Sequence, residues 1–75
     1  MIRFSLARTG AVKLRVMDVT GRCIRRLVDG PLEAGYHQRV WDGRTERGVM
    51  AASGVYFYRL ESAEGAQSRK MILLR

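Results

Sequence analysis

Apolar residues recur at every second position through most of this chain, a period that predicts strands. Ile2, Phe4 and Leu6 alternate with Arg3 and Ser5, giving a first strand over 2–6. After a turn at Arg8-Thr9-Gly10, Val12, Leu14 and Val16 alternate with Lys13 and Arg15 over 11–17. One face of that strand is expected to be buried and the other solvated. Asp18-Val19-Thr20-Gly21 then reverses the chain, the glycine supplying a positive φ that other residues resist. A third strand over 22–28 falls out of step, because Ile24 and Leu27 are three apart; a bulge near Arg25-Arg26 lets both face the core. Asp29-Gly30-Pro31 opens a loop that closes at Ala34-Gly35, which places the single proline outside every strand. A fourth strand over 36–41 ends on Trp41, and Asp42 to Gly54 is a long connection containing Gly43 and Gly48. Residues 55–61, aromatic and β-branched, form a strong fifth strand. Glu64-Gly65 turns into a last strand over 67–74. No segment has a helical period. Six to seven short antiparallel strands with turn signals between them predict a small all-β sandwich.

Size limits what such a sandwich holds. Its 75 residues make a single domain, 1–75, with one thin core. A composition 47% hydrophobic and 28% charged suits a globular domain. No apolar run approaches the roughly 20 residues of a transmembrane helix. Met1 to Leu6 alternates and lacks the continuous apolar stretch of a signal peptide. If the domain is exported, the signal therefore lies upstream, and the expectation is a module at the C-terminus of a longer secreted protein.

Charge adds a second possibility. The net charge of +7 comes from 14 basic residues, twelve of them Arg, against 7 acidic ones. Nucleic acid or an anionic surface would be attracted to such a chain. No groove-entering or base-stacking motif accompanies the charge, and Lys13 and Arg15 already read as the wet face of a strand. The acidic residues (Asp18, Asp29, Glu33, Asp42, Glu46, Glu61, Glu64) all fall in or beside expected turns.

Candidate chemistry is sparse. Cys23 has no second cysteine to pair with, and His37 has neither a second ligand nor a base partner. Asp42 and Glu46 are too few carboxylates for calcium, and Arg44 and Arg47 oppose a cation; Asp42 reads instead as a turn cap. Trp41 and Tyr56 read as aromatic core anchors in preference to a ligand-stacking pair. No catalytic, cofactor or metal site is expected. The terminal strand is the best candidate for partner recognition: Lys70, Met71, Ile72, Leu73, Leu74 and Arg75 end the chain with cations beside a free carboxylate, open to capture by strand addition.

An ordered set of motifs carries a family resemblance. Asp18-Val19-Thr20-Gly21-Arg22 with Ile24 and Leu27, Ala34-Gly35 with His37, Trp41-Asp42-Gly43, Gly48, Ser53-Gly54-Val55-Tyr56 and Lys70-Met71-Ile72-Leu73-Leu74 span nearly the whole chain. Together they resemble the Ig-like C-terminal domain of the flagellar hook-capping protein, and the related C-terminal sorting domain of the type IX secretion system. Arg39 stands where that pattern commonly has an apolar residue. The resemblance implies an Ig-like or fibronectin-III-like sandwich without catalysis. Asp18, Gly21, Trp41, Asp42, Gly43, Gly48, Gly54 and Tyr56 are its structural residues. It implies a sorting or anchoring module of an extracellular or cell-surface bacterial protein, whose partner is secretion or anchoring machinery. The alternative it implies is a scaffold module binding other proteins. The basic charge leaves nucleic-acid binding as a third reading.

Overall fold

The computed structural model describes residues 1–74 and is all-β. Six strands follow one another: β1 (Ile2–Leu6), β2 (Gly10–Met17), β3 (Cys23–Leu32), β4 (Gly35–Arg39), β5 (Gly54–Ser62) and β6 (Gly65–Leu73). They form two antiparallel sheets, β1-β4 and β3-β2-β5-β6. The expected sandwich is thus present, with four strands in one layer and two in the other.

The alternation of β1 and β2 is what joins the layers. Ile2, Phe4 and Leu6 from the small sheet pack with Val12 and Leu14 from the large one, and Leu27, Val28, Leu32, Tyr58 and Leu60 close around them. With only five residues each, β1 and β4 cover part of the longer sheet. The connection between β4 and β5 covers another part. It folds into a small hairpin with an Arg44–Met50 bridge, and it lays Ala51 and Trp41 over Val16, Tyr56, Met71 and Leu73.

Several strand limits differ from the expected ones. β3 runs on to Leu32, so Pro31 lies inside a strand, opposite Ala11. The proline is tolerated there because β3 is an edge strand, where a missing N–H can face solvent. The register with β2 slips twice, leaving Leu27 and Ile24 as extra residues on either side of Arg25-Arg26. Both side chains thereby reach the core, as the bulge predicted. β4 stops at Arg39, so Trp41 follows the strand. β6 begins at Gly65, which makes Ala63-Glu64 the turn and extends β5 to Ser62. Asp29, expected in a loop, is a strand residue opposite Lys13, which has Glu61 of β5 on its other side.

Candidate functional site

The turns put the Ig-like motif residues to structural use. Asp18 Oδ1 accepts bonds from the Thr20 N–H (2.9 Å), the Thr20 hydroxyl (2.6 Å) and the Arg22 N–H (3.1 Å). Gly21 completes that turn at φ 86°. Asp42 caps as expected, accepting the Arg44 N–H at 2.9 Å. Gly43 (φ 80°) and Gly48 (φ 78°) let the small hairpin reverse. Gly54 begins β5 opposite Leu73. Trp41 and Tyr56 meet edge to face with centroids 5.1 Å apart. Their polar ends are satisfied by backbone: Trp41 Nε1–H donates to the Arg44 carbonyl (2.9 Å) and the Tyr56 hydroxyl to the Ala52 carbonyl (2.6 Å). With Tyr56 at 9% exposure and Trp41 partly buried against it, the pair packs as a core anchor.

The same hairpin seals the start of β3. The Glu46 N–H donates to the Ile24 carbonyl (2.9 Å), the Arg26 N–H donates to Glu46 Oε1 (2.6 Å), and Arg25 donates to the Thr45 carbonyl (3.1 Å). The Arg26 N–H, followed by the Arg26 side chain, holds the Glu46 carboxyl below its ordinary pKa. Hydrogen bonding by Arg59, helped by the charge of Arg15, lowers that of Glu61. The Thr20 hydroxyl is the main cause of the lowered value at Asp18.

On the outer face of the large sheet, Arg26, Arg15 and Arg59 stand side by side across three strands. Like charges so placed repel. Here carboxylates interleave them: Glu61 pairs with both Arg15 and Arg59, and Arg26 lies near Asp29 and Glu46. The row is therefore internally compensated, which argues against reading it as a nucleic-acid footprint.

The remaining isolated residues have structural surroundings. His37 stacks on Phe4 at 5.4 Å, with Nε2 2.7 Å from the Glu33 carbonyl. Cys23 is an exposed strand residue opposite Met17. The Arg39 guanidinium donates to the neighbouring Gln38 carbonyl at 2.7 Å. Among the described residues, no three His, Cys, Asp or Glu side chains gather as a metal site requires.

β6, the proposed recognition strand, is an edge strand paired only with β5. Lys70, Met71, Ile72 and Leu73 lie opposite Phe57, Tyr56, Val55 and Gly54. Met71 and Leu73 pack inward, whereas Ile72 (63% exposed) and Leu74 (83%) face solvent. Arg75 lies outside the described residues.

Beside β6 the sandwich is open. Among the described residues, β1 pairs with β4 on one side and with no strand on the other. A groove of about 620 Å³ runs between that free edge and the large sheet, lined by Arg3 and Ser5 of β1, Tyr58 and Leu60 of β5, and Gln67 and Arg69 of β6. A smaller hollow of about 210 Å³ shares Ser5, Leu60 and Gln67 and continues toward the β5–β6 turn. There Glu64 clasps the end of β1, its carboxylate accepting the Ala7 N–H at 3.1 and 3.3 Å.

A family model described as the FlgD Ig-like domain matches residues 2–66. This chain belongs to the FlgD Ig-like domain family. Neither a search of curated proteins nor one of solved structures returned a match. Membership accords with the hook-capping resemblance of the motifs from Asp18 to Tyr56, and it suggests a protein-interaction module of the hook-cap type. The match ends at Ala66, so Lys70 to Leu74 lie beyond it. The groove of this FlgD Ig-like domain includes Arg69 of the terminal strand together with Arg3 and Tyr58, which sequence reasoning did not single out as site residues. Their only signal was indirect: a strand at the very start of the chain and a basic residue on the last strand.

Proposed function

We propose that this domain is a non-catalytic protein-interaction module, serving as a scaffold element in a bacterial assembly at or outside the cell surface. Its membership of the FlgD Ig-like family carries the reading. The test is cross-linking mass spectrometry on the native assembly, paired with sedimentation of the purified domain. Cross-links from the domain to a neighbouring subunit or a second copy are expected. A monomer that cross-links to nothing in its native setting rejects the scaffold reading.

A second reading is sorting or anchoring of an attached protein through the terminal strand. It is favoured by Ile72 and Leu74, whose apolar side chains face solvent on an unpaired edge. The double substitution Ile72→Ser with Leu74→Ser keeps Met71 and Leu73 in the core. On a cargo fused to the domain and an upstream export signal, it should leave the fold intact and abolish delivery to the surface or medium. Unchanged delivery removes the sorting reading and leaves the scaffold one standing.

A further inference from the structure

We propose that the free edge of β1 binds an extended, acidic segment of a partner protein as an added strand, seated in the groove between β1 and β6. This rests on the protein-interaction reading and specifies its mode.

Three features lead there. First, the small sheet leaves part of the large one uncovered on the β6 side. Two strands face four, and a two-stranded sheet is marginal without further cover. Alternate residues of β1 turn their N–H and C=O groups away from β4, where no strand receives them. Second, part of the floor beside that edge is apolar. Tyr58 and Leu60 pack against the core and still line the groove, so an added strand would bury inward-facing apolar side chains on them. Third, the groove is basic. Arg3 and Arg69 line it, and the ion pairs among the described residues involve neither.

Charge also chooses the occupant. A second copy would bring another net charge of +7 and its own Arg3 to the junction, where like charges repel. An acidic segment complements the groove. Geometry places the acid: Glu64 closes the end near Ala7, so acidic residues belong toward Met1, between Arg3 and Arg69. The β1 edge has five residues, which sets the paired stretch at about 17 Å. The recognised segment therefore alternates apolar and acidic residues, with pairing along the backbone giving affinity and the two arginines giving selectivity.

The experiment uses a fluorescein-labelled seven-residue peptide of alternating valine and glutamate, titrated with the whole chain and followed by anisotropy. The same peptide with lysine for glutamate, and one with a central proline, serve as controls. Saturable binding of the glutamate peptide alone is expected, with slowed amide exchange in β1 on binding. The variant R3E/R69E, checked for an unchanged far-UV spectrum, should weaken it roughly tenfold or more. Absent binding, equal binding of the lysine or proline peptide, or an unaffected R3E/R69E variant overturns the proposal. So does concentration-dependent dimerisation that the same variant abolishes, which would make a second copy the occupant. If R3E/R69E keeps its cross-links in the native assembly, the added-strand mode fails while the interaction module stands.

Discussion

The two flanks of the sandwich are built on opposite terms. At the β3 flank the 42–53 hairpin reaches over the edge, and Glu46 occupies both the Ile24 carbonyl and the Arg26 N–H. Farther along the same edge, Pro31 removes a donor outright. At the β1–β6 flank a single clasp, Glu64 on Ala7, closes one end and leaves the rest open. Exposed edges invite unwanted pairing, so a chain that blocks one and leaves another available is distinguishing between them. The sealed flank holds the fold, and the open one leaves the β1 edge without a neighbouring strand among the described residues.

Substitutions along β5 test this division, because the strand runs from beneath the hairpin to the groove. Tyr56→Ala should do the most damage. It empties a buried aromatic site under Trp41 and leaves the Ala52 carbonyl without its donor, at a cost of roughly 3–5 kcal/mol. Urea denaturation should find the domain largely unfolded, and a folded variant with near-native stability would show that the hairpin is not structural. Four residues on, Leu60→Ala removes a side chain that is only half-buried beside the groove. A loss of about 1–2 kcal/mol is expected in the same assay. Equal losses at the two positions would erase the distinction between flanks.

Acid should loosen the sealed flank. The Glu46 carboxyl has a lowered pKa in the folded state, so its contribution is complete above the ordinary value of 4.5 and is lost as pH falls through the folded value. Asp18 and Glu61 behave with the same sign. The thermal midpoint should therefore drop on acidification below pH 4.5, and less steeply in Glu46→Gln. A variant with the wild-type slope would assign the acid sensitivity elsewhere. The smallest effect belongs to Pro31→Ala, where the restored N–H faces solvent at an edge. Stability should change by less than about 1 kcal/mol. Greater self-association of that variant, seen by light scattering, would mark the proline as an edge blocker.

β1 and β2 were legible in the sequence because their period of two is uninterrupted, so Ile2, Phe4, Leu6, Val12, Leu14 and Val16 all proved to be core. Legibility failed where one dimension hides a neighbour. The irregularity of β3 was visible in the spacing of Ile24 and Leu27, but Pro31 read as a loop because nothing in the sequence says which strand lies at an edge. Asp29 read as a loop residue because Lys13, which faces it from β2, comes from another part of the chain. The turn caps Asp18 and Asp42 were accessible because their partners lie within a few residues. The groove was not, since it joins Arg3 to Arg69 and depends on how many strands each layer contains.

The central position of β2 also sets a timetable. Its two neighbours arrive at very different moments: β3 follows within a short turn, while β5 pairs Met17 with Phe57 and Lys13 with Glu61. A chain emerging from the ribosome can close the first hairpin early, but Val12, Leu14 and Val16 then wait for the fifth strand before their sheet is complete. Distant pairings of this kind slow folding and prolong the exposure of apolar surface. The nascent domain thus stays an unfinished sheet until β5 and β6 have both been made.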